Sequence, residues 1–355
     1  MNNAEILLSL TRLGIGHRNG EKFNKIDWLS VQNLAEQQGI YAIVLDGIEK
    51  LPEIQRPPQT ILLEWIGEVL QGYEYRYKQY CKAISEMACF YNNHGYRMMV
   101  MKGYACSLEW PKPEHRPCGD IDIWLFGEQK ETDTLLESEK GIKIDNSHHH
   151  HTVFNWNNFM VENHYDFVNT HDYQSSSKLE KIFKELGQDD THYVGINSEK
   201  IYLPSPNLHA LFLLRHAVSH FTSTSLNLRQ VLDWAFYVRN HTNEINWKWL
   251  NQILDEFHMI DFFNCLNGIC VEDLGFSPDI FCEIRYLPSI KEKMLKDIFS
   301  PEYTAVEPNF FISRLIYKYK RWRGNAWKRK ICYEESDSIA FVKGLWYHIL
   351  KPSSL

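Results

Sequence analysis

The run Gly119-Asp120-Ile121-Asp122-Ile123 sets two acids in strict alternation with apolar residues. Successive side chains of a β-strand point to opposite faces, so Asp120 and Asp122 are expected on one face while Ile121 and Ile123 enter a core. Two carboxylates held side by side repel, and a divalent cation stabilises that charge most directly. Mg²⁺ favours one or two carboxylates plus substrate phosphates. Upstream, a strand is expected from Arg97 to Lys102, a turn at Gly103 and a short helix over Tyr104 to Trp110, ended by Pro111-Lys112-Pro113. A strand, a glycine and a helix start bring backbone N–H groups to the strand tip, where phosphate binds, and Lys102 adds a point charge there.

The chain has 355 residues, enough for two domains and at least one large core. Its 44% hydrophobic and 23% charged residues exclude a disordered chain. A net charge of -7 argues against a surface built throughout for nucleic acid, while leaving room for a local basic face. The eight cysteines include no CxxC pair and read as reduced thiols. The amino terminus lacks a signal-peptide profile and no apolar run reaches membrane-spanning length, so the expected location is the cytoplasm.

Helical spacing dominates from Asn3 to Leu51 and again from Thr60 to about Asn92, with a stop at Asn93-His94-Gly95. Strands are expected over 97–102, 120–126, 142–145, 150–156 and 159–167, with a helix over Gln129 to Lys140. A helix over Lys178 to Leu186 precedes a hairpin, whose arms over 192–196 and 200–203 flank Asn197-Ser198-Glu199. From Ser205, with Pro206 at the first helical position, the pattern is helical. Three regions follow: a helical region at 1–84, a mixed α/β region at 85–204 and a helical domain at 205–355.

Glu162 supplies a third acid. It lies in an apolar strand with His164 and Asp166 on the same face, and a neighbouring strand would bring it to the paired acids as metal ligand or as general base. His216 and His220 stand four apart on one helical face. Two ligands are too few for zinc, and they read as core or cleft histidines. Arg229 and Asp233 form a helical i,i+4 pair. The internal run His148 to His151 could bind metal adventitiously and is assigned no catalytic role. The segment from Arg314 to Lys330 interleaves Tyr317, Tyr319, Trp322 and Trp327 with basic residues. It reads first as a solvated amphipathic helix, and otherwise as a grip for nucleic acid, an acidic partner or an anionic membrane.

Lys102-Gly103, the Arg116 preceding Gly119-Asp120-Ile121-Asp122, and Val161-Glu162-Asn163-His164 together resemble the nucleotidyltransferase superfamily of DNA polymerase β type. More narrowly, they resemble a bacterial family of uncharacterised nucleotidyltransferases, and the likeness extends over nearly the whole chain. That resemblance implies an α+β fold: a small mixed sheet of nucleotidyltransferase type flanked by helices, with a helical C-terminal domain. It implies transfer of a nucleoside monophosphate from a nucleoside triphosphate to an acceptor hydroxyl, with Mg²⁺ (or Mn²⁺) and release of pyrophosphate. Asp120, Asp122 and Glu162 match the metal-binding and catalytic acids. Lys102, Gly103, Tyr104, Arg116 and His164 match nucleotide-binding positions, with Arg116 either contacting phosphate or bracing the acids. Tyr104 departs from the superfamily, which has a small residue after the turn glycine. The acceptor stays open among RNA, protein, sugar and small molecule. The alternatives are a degenerate fold kept as a nucleotide- or partner-binding module and, behind it, a metal-dependent glycosyltransferase.

Overall fold

Alternating apolar and polar side chains resolve into six strands: β1 Met99–Val100, β2 Ile121–Trp124, β3 His151–Trp156, β4 Phe159–His164, β5 Tyr193–Ile196 and β6 Glu199–Tyr202. They form one sheet in the order β3-β4-β2-β1-β6-β5. The computed structural model describes residues 2–17, 23, 25–170, 174–281, 284–303, 308 and 310–334. Two hairpins, β3/β4 and β5/β6, bound the sheet, each with two turn residues at positive φ: Asn157 and Asn158, then Asn197 and Ser198. Paired positive φ matches the right-handed twist of the flanking strands. At the centre, β2 runs parallel to β4 and antiparallel to β1, while β1 runs parallel to β6. The architecture is α+β, a mixed sheet with helices around it and a helical second half from Pro206 onward.

Period-two alternation splits the sheet between two cores. Ile121, Ile123, Val100, Val161 and Ile201 face one side and pack with Tyr80, Ile84, Met87 and Tyr91 of the Arg76–Asn93 helix. On the other side, Met99, Trp124 and Tyr202 join a larger core. That core takes in Leu7 and Leu10 near the amino terminus, Ile43 of the Tyr41–Glu49 helix, and Leu211, Val231 and Phe262 from the helical second half. The helices at both ends of the chain therefore share one apolar interior. Gly14 and Gly47 permit a close crossing within it, because a Cβ would collide with the Ile43 carbonyl oxygen at the first and the Leu10 carbonyl oxygen at the second.

Several elements differ from their sequence pattern. The expected strand over 97–102 shortens to two residues because the chain turns into the Lys102–Ser107 helix, with Lys102 at φ 37°. The 142–145 segment contributes a single bridge, Asp145 to Val153. The long helix extends from Gln59 to Asn93 but passes through a π-helical stretch, Val69–Tyr75. The cysteines described at 81, 89, 106, 118, 265, 270 and 332 are free thiols, and Cys282 lies outside the described residues. Among the described residues, no helix is long and apolar enough to cross a membrane.

The loop between the Lys102–Ser107 helix and β2 is staked from two directions. Asp46 receives Lys112 Nζ at 2.6 Å and lies 2.8 Å from His115 Nδ1. Arg116 makes a two-point pair with Asp233 at 2.8 and 2.9 Å, and Trp110 Nε1 donates to the same carboxylate at 2.9 Å. Burial alone would push the Asp46 carboxyl up. The hydrogen bonds from His115 and Lys112 outweigh it and hold the group below the ordinary carboxylate value. A lowered folded-state pKa contributes stability that is present above about pH 4 and is lost as pH falls. Asp46→Asn is therefore expected to cost roughly 1–3 kcal/mol at pH 7, with a smaller gap from wild type below about pH 4. Urea denaturation at the two pH values measures both.

Candidate active site

Parallel pairing of β2 with β4 puts Asp122 opposite Glu162 and Trp124 opposite His164. Antiparallel pairing of β3 with β4 puts His151 opposite His164. Side chains two apart share a face, so Asp122, Glu162, His164 and His151 project to one side of the sheet. Asp122, Glu162 and His164 each offer a ligand atom within 4.8 Å of the others, and so do His150, His151 and His164.

Charge is compressed here. The Lys102 ammonium contacts Asp122 directly and stands 3.9 Å from Glu162. His164 Nε2 lies 3.0 Å from Asp122 Oδ1 and 3.5 Å from Glu162 Oε2. Burial would push the Asp122 carboxyl up, but Lys102 and His164 outweigh it and hold it well below the usual carboxylate range. Burial would lower His164 and Lys102. Hydrogen bonds to Asp122 and Glu162 reverse this for His164, and the charges of Asp122 and Glu162 reverse it for Lys102, so both are raised. For Asp120 the balance falls the other way: burial and the neighbouring Asp122 and Glu162 raise its carboxyl, outweighing the Lys102 charge. His150 and His151 are pushed down by burial, to about 2 and about 4.

The cleft above these groups encloses about 540 Å³. Lys102, Asp120, Glu162 and the three histidines 150, 151 and 164 line its sheet side. Phe212, Arg215, His216 and His220 of the Pro206–Ser223 helix line the opposite side, as expected for cleft histidines, joined by Trp322, Arg329 and Tyr333. Arg215 is held by Tyr333 Oη at 2.8 Å.

Three expected site residues sit differently. Asp120 precedes β2, outside the paired register, and His164 rather than Asp120 completes the tight group with Asp122 and Glu162. Arg116 is buried against Asp233 and does not line the cleft, because the loop is pinned to the Leu228–His241 helix. Asp233 is thus taken by Arg116, while Arg229 Nε is buried without a hydrogen-bond partner. Tyr104 is buried in the sheet core, one turn into its helix, and is likewise absent from the cleft lining. The basic carboxy-terminal segment is partly spent inside: Lys328 is buried against Asp297 at 2.6 Å, and Arg329 donates to the Trp322 carbonyl at 2.6 Å. Arg215, Phe212 and Tyr333 carried no sequence signal for this role, whereas Trp322 belonged to the basic, aromatic segment. The histidine run did carry one, in its density of ligating side chains.

A sequence profile described as "Uncharacterised nucleotidyltransferase" matches residues 24–272. The chain belongs to this family. No relative among curated proteins matches it. One solved structure similar to it is that of an antigenic nucleotidyltransferase-like protein from Paracoccidioides brasiliensis, at 15% identity. That match covers 50% of this chain and 87% of the other, with a TM-score of 0.35.

The Lys-Gly turn of this nucleotidyltransferase family member has a local cause. Tyr80 Oη donates to the Asp120 carbonyl at 2.8 Å, and a Cβ on Gly103 would stand 2.6 Å from that hydroxyl. Gly103→Ala is expected to break the Tyr80–Asp120 bond at a cost of about 1 kcal/mol or more. A double-mutant cycle with Tyr80→Phe measures this, and the Gly103→Ala penalty should shrink once the hydroxyl is gone.

Proposed function

We propose that the chain transfers a nucleoside monophosphate from a nucleoside triphosphate to an acceptor hydroxyl, releasing pyrophosphate. One observation carries this reading: two carboxylates and an imidazole are fixed by strand register within 4.8 Å of one another, with Glu162 and His164 lining a cleft with cationic walls and Asp122 buried just beneath it. The donor set fits a hard divalent ion. Asp122 and Glu162 supply oxygen ligands, and Asp120 adds a further carboxyl at the cleft wall. Asp122 and Glu162 would hold Mg²⁺ or Mn²⁺, with Asp120 beside them. Bound there, the ion would acidify the attacking hydroxyl and neutralise charge on the phosphates.

The protein's own groups divide the remaining work. Arg215 and Arg329, both in the cleft wall, supply positive charge for the polyphosphate, and Lys102 adds a third cation from the sheet side. The acceptor oxygen bonds to the α-phosphorus as the bond to the α–β bridging oxygen breaks, and pyrophosphate leaves with that electron pair. The hydroxyl proton passes to Glu162, which faces the cleft while Asp122 is buried beneath Lys102. His164 keeps Asp122 ionised and oriented.

The Lys102–Asp122 pair is also what favours the second reading, a nucleotide-binding module without chemistry, because a metal ion there must compete with the ammonium. Incubation with α-labelled nucleoside triphosphates, Mg²⁺ or Mn²⁺ and a cell extract separates the two. Label is expected to move to one acceptor fraction with stoichiometric pyrophosphate, and triphosphate binding without pyrophosphate release supports the module instead. Asp122→Asn and Glu162→Gln are each expected to lower transfer about 100-fold or more while retaining the circular dichroism of the wild type.

A further inference from the structure

We propose that His150, His151 and His164 form a site for a transition-metal divalent cation, Zn²⁺ or an ion of similar ligand preference, next to the carboxylates and open to the cleft. The proposal does not depend on nucleotidyl transfer being the activity.

Backbone geometry holds the three rings in place. His151 and His164 face each other across β3 and β4, and the His150 carbonyl accepts the Tyr165 and Asp166 N–H groups at 3.1 and 3.0 Å. His164 Nδ1 lies 3.2 Å from the Asp166 carbonyl oxygen, which fixes the ring; its Nε2 stands 3.0 Å from Asp122 Oδ1 and would exchange that contact for a bound cation. Ligand atoms of the three rings all lie within 4.8 Å of one another.

The decisive feature is unmet bonding capacity. His151 is 6% exposed, yet neither of its ring nitrogens has a hydrogen-bond partner, and His150 Nδ1 is buried without one as well. Buried polar atoms in a folded protein are almost always satisfied, and leaving one unpaired is costly. A cation that accepts imidazole lone pairs would take one nitrogen of His151 and, with it, Nδ1 of His150. Imidazole selects zinc, copper, nickel or iron over Mg²⁺, which prefers oxygen ligands. Three protein ligands with the remaining position toward a cleft is the pattern of a zinc site that meets a ligand, whereas structural sites are closed by four. Glu162 Oε1, 3.7 Å from His151 Nε2, stands between these rings and Asp122, so the imidazole site and the carboxylate site share a wall.

The test uses the full chain stripped of metal with a chelator and titrated with Co²⁺, following the visible ligand-field absorption, then challenged with Zn²⁺ and with excess Mg²⁺. The expected result is one equivalent of Co²⁺ with a nitrogen-ligated, low-coordinate spectrum, displaced by Zn²⁺ but not by Mg²⁺. His150→Ala combined with His151→Ala should weaken binding about 100-fold or more. His150→Gln, at a half-buried position, gives the same direction if the double variant fails to fold. His148→Ala with His149→Ala should leave binding intact. The proposal is overturned if no such spectrum forms, if Mg²⁺ displaces the cobalt, or if binding follows His148 and His149 instead of His150 and His151. Loss of labelled-nucleotide transfer alone would leave it standing.

Discussion

The parallel register between β2 and β4 is the constraint on which the site depends. It places Asp122 opposite Glu162 and, two residues on, Trp124 opposite His164. A shift of one residue would send Asp122 into the core that holds Ile121 and Ile123, and would bring an isoleucine to the cleft. The apolar neighbours thus fix the acids: Ile121 and Ile123 have one favourable side, and the carboxyl between them has only the other. The hydrophobic core selects the register, and the register assembles the charges.

That assembly is electrostatically tense. Asp122 and Glu162 would repel if both were left ionised in a partly buried site, so the structure brings in the Lys102 ammonium and the His164 ring. Lys102 reaches them because the strand before it is only two residues long and the chain turns at once into a helix. The turn needs a residue without a Cβ at position 103, where Tyr80 reaches across to the Asp120 carbonyl. A cation-poised acid pair, a short strand and a glycine are therefore one device.

Much of this was legible in the sequence, because strand alternation is local. Asp-Ile-Asp-Ile announces a two-sided strand, and Glu162 with His164 announces another carrying acid and imidazole on the same face. What escaped was set by partners remote in sequence. Arg116 looks like a phosphate ligand until the helix carrying Asp233 arrives, 117 residues later, and takes both ends of its guanidinium. Tyr104 follows the turn glycine and looks poised for a ligand, yet its place on the helix turns it into the sheet core. Asp120 has the right spacing but lies one residue before the strand begins, where pairing does not fix it. The histidine run reads as at most an adventitious metal binder until the β3/β4 pairing buries His151 beside His164.

The second half of the chain then acquires a role beyond support. Its helices share a core with those at the amino terminus, so the wall they offer to the sheet is rigid. The Pro206–Ser223 helix presents Arg215, His216 and His220 to the cleft, and the carboxy-terminal segment closes over it with Trp322, Arg329 and Tyr333. Within that segment the basic residues divide by position. Lys328 is consumed by Asp297, which docks the short Ala326–Lys330 helix, while Arg329 lines the cleft, held by the Trp322 carbonyl and with its guanidinium over the Trp322 ring. The negative sheet floor faces a positive helical wall across a space large enough for a nucleotide.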